Sequence, residues 1–297
     1  MRMNPVYKRE TMVSARSFKL ALILLIFNGI LALVALLNMY STLAQVRLTA
    51  EIQYTSFLDL YLVVAVLEFV MLIFIMPALT AGSISGERER RTLELMLTTK
   101  MRPAQIVLGK LAASLSTMFL LIVSSFPIIA MVFVYGGVTL NDIGLLLLCY
   151  IAAALFVGSL GLYCSALFHR STVSTVVAYG VMGLVVIGTY GINQFAYYMS
   201  GMHVEGYFAA VGQVPVQATS GGLLYLLLLN PTTTFLVTIS QLTGQMEAAA
   251  NVGSWFGGHS ASPVFSQWVG VSILLQLLMA AVFVWAAIRT VSGGKRQ

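Results

Sequence analysis

Long apolar runs separated by short polar stretches dominate this chain. Five of them reach the roughly 20 mostly apolar residues that a membrane helix needs: 20–40, 57–81, 111–135, 143–168 and 173–197. A sixth, 265–288, closes the chain. The first run starts late, is long and has no small-residue cleavage site after a short apolar core. It is therefore expected to stay as a first span and not to be removed as a signal peptide. A further apolar run, 221–239, is interrupted by Asn230-Pro231. The residue before a proline is pushed out of the helical region, so two half-helices that dip into the membrane and return are expected here. Lipid cannot satisfy the freed backbone groups, so the break should be buried against protein or water.

Composition agrees with this pattern. Of 297 residues, 59% are hydrophobic and 9% charged, against about 25% charged in a soluble domain. The mean hydropathy is +0.92. An ordinary soluble enzyme and a nucleic-acid-binding module are excluded, although the net charge is +6. The positive charges instead sort by side. Arg2, Lys8, Arg9, Arg16 and Lys19 precede the first span, and Arg88, Arg90, Arg91, Lys100, Arg102 and Lys110 fall between spans two and three. Arg170 lies between spans four and five, and Arg289, Lys295 and Arg296 end the chain. The other side keeps Arg47 with Glu51, Asp142, Glu205 and Glu247. Cytoplasmic loops carry the excess Lys and Arg, so both termini are expected in the cytoplasm with an even number of spans. Six spans plus a re-entrant hairpin fit; seven do not. Tyr54, Tyr61, Tyr135, Tyr197, Tyr198 and Trp268 are expected near the outer surface and Trp285 near the inner one.

The expected fold is thus an all-α membrane protein in one domain. It has six transmembrane helices, an N-terminal interfacial helix before Lys19, a cytoplasmic helix over about 86–98 and a re-entrant segment over 221–239. Residues 82–110 read GSISGERERRTLELMLTTKMRPAQIVLGK. Ser83 or Ser85 can cap a helix whose first turn holds Glu87 and Glu89. Glu87 with Arg91, and Arg90 with Glu94, stand four apart as acid–base pairs. Leu93, Met96 and Leu97 form an apolar stripe, and Pro103 ends the helix. Such a stripe beside charges seeks a protein partner or the membrane surface.

This loop resembles the signature of ABC-2 type transporter permeases. The family shows an acidic–basic–acidic run, here Glu87-Arg88-Glu89, then Thr92-Leu93-Glu94, Leu95 to Leu97, and entry to the next helix through Gly109-Lys110. It often has Gly where Arg91 stands. Asn4-Pro5 with the following basic residues and Glu10 resembles the family's start, and Leu229-Asn230-Pro231 its late external motif. The resemblance implies the membrane half of an ATP-driven exporter in the bacterial cytoplasmic membrane, with two permease subunits, identical or similar. It also implies two copies of a separate ABC ATPase that carry the ATP and Mg. The coupling helix would dock on that ATPase through Glu87, Arg88, Glu89, Arg90, Thr92, Leu93, Glu94 and Leu97, and the re-entrant helices would face outward. The chain itself holds no G-x-x-x-x-G-K-[ST] phosphate loop, so it is expected to carry no cofactor and to leave hydrolysis to the partner.

Glu68, mid-way along span two, is expected to line a pathway or a dimer interface, because a carboxylate at that depth costs a few kcal/mol. Two competing readings follow: a proton-coupled secondary transporter using Glu68, and a membrane anchor with no transport cycle. Asn28, Asn38 and Gln276 are expected to join helices. Gly158, Gly161, Gly180 and Gly183 are expected to allow close helix approach. His169, His203 and His259 have no partners at metal-ligand spacing. Cys149 and Cys164, about 22 Å apart on one helix, cannot bridge each other. Few fixed charges along the spans favour a hydrophobic or amphipathic cargo.

Overall fold

The computed structural model describes residues 4–49, 55–98, 101–135, 139–211, 218–244, 251–257 and 262–293. Arg2, Lys100, Glu51, Glu247, Tyr54, His259, Lys295 and Arg296 lie outside these residues. The side chains of Lys19, Arg47, Leu97, Tyr135 and Glu205 are likewise outside the described set. The described residues are helical apart from turns and one isolated bridge, Thr219–Gly257. Six helical stretches are long and apolar enough to cross a membrane, and the pair Gly221–Leu229 and Pro231–Thr243 meets at 90°.

In chain order the helices are α1 (Pro5–Ala15), α2 (Phe18–Thr49), α3 (Thr55–Thr80), α4 (Ser83–Glu89), α5 (Thr92–Thr98), α6 (Pro103–Tyr135), α7 (Leu140–Leu167) and α8 (Ser171–Gly183). A π-helical turn, Leu184–Gly188, leads into α9 (Thr189–Val211). A 3-10 helix, Gly221–Leu229, precedes α10 (Pro231–Thr243), and the one-turn helix Pro263–Ser266 precedes α11 (Trp268–Gly293). Pro103 opens α6 where the sequence placed a helix end. Its missing N–H costs nothing in a first turn, where amides have no intrahelical partner.

The chain divides into two compact units, one of Met1–Ala178 with Met279–Gln297 and one of Tyr179–Leu278. In the first unit, α3 buries Leu60, Tyr61, Val64, Ala65, Glu68, Leu72 and Met76. Their spacing of three to four residues is one helix face. That face meets α7 so closely that a Cβ on Gly161 would stand 2.1 Å from Thr80 Oγ1, and one on Gly158 2.5 Å from Met76 Cε. The Tyr150 hydroxyl of α7 donates to the Ala65 carbonyl at 2.8 Å. Asn28 joins α2 to α6 by donating to Ser124 Oγ at 2.9 Å, as its place in an apolar run implied. Cys149 and Cys164 are free and buried along α7. Gly180 and Gly183 meet nothing within 4 Å, so of these four glycines Gly158 and Gly161 are the ones in close contact.

In the second unit Trp268 is buried with Leu224, Leu227, Leu228, Val237 and Val252. Trp268 and Tyr61, both 1% exposed, are core side chains packed against protein. An all-apolar run gives no sign of which face meets protein. Tyr197, Tyr198 and Trp285 do remain exposed, and the Arg289 guanidinium sits 4.2 Å above the Trp285 ring centre.

Candidate functional site

Residues 86–98 do not form one helix. α4 ends at Glu89 and α5 begins at Thr92, with Arg91 between them at φ +56°. A left-handed residue after a helix end is a common stop and is usually glycine, because a Cβ is disfavoured there. Arg91 occupies a backbone conformation that suits the glycine often found at this point in the resembling family. The break removes the helical register that would have set Glu87 against Arg91 and Arg90 against Glu94. We expect Arg91→Gly to raise the melting temperature, by about 1 kcal/mol of relieved strain, and Arg91→Val to lower it. Thermal unfolding of the two variants beside wild type checks this.

The start of α4 is capped from elsewhere. Gly82 stands at the N-cap with no side-chain bond, and Ser83 Oγ donates backward to the Thr80 carbonyl at 2.8 Å. The free amides of Ile84 and Ser85 instead donate to Ser165 Oγ of α7, at 2.9 and 3.0 Å.

Each member of the Glu87-Arg88-Glu89 run then reaches a different helix. Arg88 donates to the Ala166 and Phe168 carbonyls at 3.1 and 3.4 Å, placing a cation at the C-terminus of α7. Glu89 accepts from Ser171 N and Oγ at 2.9 and 2.8 Å, placing an anion at the N-terminus of α8. Both charges match the helix dipoles they meet. Glu87 accepts from the Thr92 hydroxyl and, at 3.5 Å, from Lys110 Nζ. Lys110 also holds Glu10 of α1 at 3.0 Å. These acids lie past the apolar part of span two. Burial opposes ionisation of Glu87, yet Thr92 and Lys110 outweigh it and hold the carboxyl below its usual range. The Ser171 amide and hydroxyl hold Glu89 below its usual range.

Lys110 is 5% exposed and joins α1, α4 and α6. The sequence marked it only as a cation at the entry to span three, and Glu10 only as part of the family-like start. One signal was present: a lone cation heading a long apolar run, with an acid in each polar flank. Gly109 has an equally local reason. A Cβ there would stand 2.9 Å from Val6 Cβ and 3.2 Å from Tyr7 N, so α1 can lie on α6 only over a glycine. Asn4 secures that end of α1, capping the Val6 amide at 3.1 Å and donating to the Gln105 carbonyl at 2.7 Å. Gly109→Val should lift α1 from α6 at about 1–3 kcal/mol, the usual cost of overpacking. Faster proteolysis within residues 4–16 together with a lower melting temperature is the expected readout.

The residues singled out in the sequence therefore separate into two sets. Glu87, Arg88, Glu89 and Thr92 are engaged with the fold. Leu93 is buried with Ile84, Val107, Leu111, Leu162, Ala166, Ala287 and Val291, so it is a core residue and not part of a free stripe. Arg90, Arg91 and Glu94 are exposed. Leu97 lies on α5, with its side chain outside the described set.

A second constellation lies in the unit 179–278. Asn230 is fully buried and sits at the 90° bend. Its Oδ1 caps α10 by accepting from Thr232 N at 2.9 Å. Its Nδ2 donates to the Val186 carbonyl at 3.0 Å and to Thr189 Oγ1 at 2.9 Å. Val186 belongs to the π-turn of Leu184–Gly188, an irregularity the apolar sequence concealed. Gln276 donates to Thr234 Oγ1 at 2.7 Å and to Ser272 Oγ at 3.1 Å, so it joins helices as expected. Glu68 is 3% exposed, and neither carboxyl oxygen has a hydrogen-bond partner. The nearby Ser125 and Tyr150 hydroxyls donate instead to the Ile122 and Ala65 carbonyls. Among the described residues no group of three or more His, Cys, Asp or Glu could hold a metal ion.

The model of the ABC-2 family transporter proteins matches residues 21–289. The chain belongs to this family and is a multi-pass membrane permease, a component of an ABC transporter. Members of the family are transport subunits and not catalytic ones, and association with an ABC ATPase follows from membership. No curated protein matches the chain.

Proposed function

We propose that this chain is the permease subunit of an ATP-driven exporter in the bacterial cytoplasmic membrane, with both termini in the cytoplasm. Two permease subunits, identical or similar, would enclose the pathway, and two copies of a separate ATPase would bind ATP and Mg. The observation that carries this reading is the two-sided construction of α4 and α5. One side is fixed by Ser165, Ala166, Ser171 and Lys110. The other presents Arg90, Arg91 and Glu94. A partner that pushes on those exposed residues moves α6, α7 and α8 together, because rigid packed elements shift between discrete arrangements. The pair bent at Asn230 is read as a re-entrant hairpin facing outward, its break covered by protein as the bilayer requires.

The test separates docking from internal linkage. Glu94→Arg should weaken capture of the cognate ATPase about tenfold or more, the scale of a reversed charge in a contact, with melting unchanged. Glu87→Gln should leave capture intact and reduce the ATPase stimulation seen on co-reconstitution. A chain that binds no ATPase would move the anchor reading to the front. The Glu68 carboxyl, buried along α3, supports a second reading, the proton-coupled transporter. Transport driven by a pH gradient without ATPase, and abolished by Glu68→Gln, would establish it.

A further inference from the structure

An open groove of 570 Å³ runs between α1 and α6, lined by Tyr7, Leu115, Ser116, Phe119, Leu120 and Val123. Its chemistry is graded. At one end the Tyr7 and Ser116 hydroxyls lie 3.0 Å apart. From there the lining positions recur every three to four residues, an apolar strip about 12 Å long at 1.5 Å per residue. Phe119, Leu120 and Val123 remain exposed along it. The helix that supplies Tyr7 also exposes Lys8, Arg9 and Arg16, with Arg9 near enough to Glu87 to favour its charged form and apolar Met12 and Val13 exposed between Arg9 and Arg16. The one acid of α1, Glu10, is already paired with Lys110.

A cationic, hydroxyl-bearing end joined to an apolar strip fits a molecule with an anionic head and a hydrocarbon tail. We propose that this groove holds one anionic phospholipid of the bilayer. Its acyl chain lies along Leu115, Phe119 and Val123, and its phosphate lies at the Tyr7 hydroxyl and Lys8. Basic residues on an amphipathic helix at a membrane surface recognise such headgroups. Charge argues against the rival occupant, the same face of a second copy. A two-fold contact over this face would bring two copies of the Lys8, Arg9 and Arg16 cluster into one interface, with Glu10 already engaged by Lys110, an excess of like charge that disfavours association. A lipid in the groove would also brace the α1–α6 packing that brings Glu10 to Lys110.

The test places an indole in the groove by Phe119→Trp, or by Leu120→Trp should the first variant fail to fold. The full chain is reconstituted in phosphatidylcholine vesicles that contain brominated phosphatidylglycerol or brominated phosphatidylcholine at equal mole fraction. Wild-type protein gives the background of the native tryptophans, and Leu278→Trp on the exposed face of α11 is the control. Phosphatidylglycerol should quench the groove indole about fivefold more effectively, the scale of one basic residue at a charged surface. The control should be quenched equally by both lipids. Lys8→Gln with Arg16→Gln should erase the preference. Equal quenching by both lipids at both positions would overturn the proposal and leave ordinary lipid contact. Protection of the groove indole from both lipids would overturn it in favour of a protein cover. The readout needs neither an ATPase nor a fixed orientation, so its failure is distinct from failure of the exporter reading.

Discussion

Lys110→Met is expected to lower the melting temperature and to abolish ATPase stimulation. The substitution fills the apolar space of the Lys110 stem but leaves Glu10 and Glu87 without their shared cation. Breaking a buried pair from one side costs about 3–5 kcal/mol. The acids here keep 33% and 17% exposure, so water offsets part of this and about 2–3 kcal/mol is expected. The triple variant Lys110→Met, Glu10→Gln, Glu87→Gln removes the stranded charges. It should recover most of the melting temperature, since replacing a whole buried ion cluster is often near neutral. Stimulation should stay lost, because α4 is no longer tied through Lys110 to α1 and α6. Separate recovery of folding and coupling is the signature of a positioning role. Full coupling in Lys110→Met would show that the cluster only stabilises the fold.

The second large effect is expected at Asn230. Asn230→Ala removes the cap on the Thr232 amide and the donor to the Val186 carbonyl, at about 1–3 kcal/mol for each lost buried contact. Asn230→Ser keeps a capping oxygen but is too short to reach Val186, so it should fall between alanine and wild type. Asn230→Asp keeps the cap and turns the two donor contacts into an anion facing a carbonyl, so it should melt no higher than Asn230→Ala. Thermal unfolding of the three variants gives the order. Wild-type melting in Asn230→Asp would mean that the π-turn contact carries nothing and that the asparagine is a cap alone.

Several features were legible without coordinates because they are local. The six apolar stretches follow from length and composition. Asn4-Pro5 and Asn230-Pro231 announce helix starts, since a short polar acceptor followed by a residue lacking N–H suits a first turn. The Gly158 and Gly161 pair marks close packing. The loop between spans two and three carries the family resemblance, but its residues do not share one surface: Leu93 is buried, while Arg90 and Glu94 are exposed. The left-handed turn at Arg91 was hidden because arginine gives no sign of it. The inward direction of Glu87, Arg88 and Glu89 was hidden because their partners stand 23 to 82 positions away, at Lys110, Ala166 and Ser171.

The sequence by itself determined that this chain crosses a membrane repeatedly and belongs with ABC-2 permeases, because hydrophobic run length and a short motif are properties of consecutive residues. Only the tertiary structure decided which residues of that motif hold the fold and which stay exposed. It likewise decided that Lys110 joins α1 to α4 and that Asn230 reaches the π-turn. In spans apolar on every side, periodicity carries no direction. There the facing of a side chain is set by which distant helix lies against it.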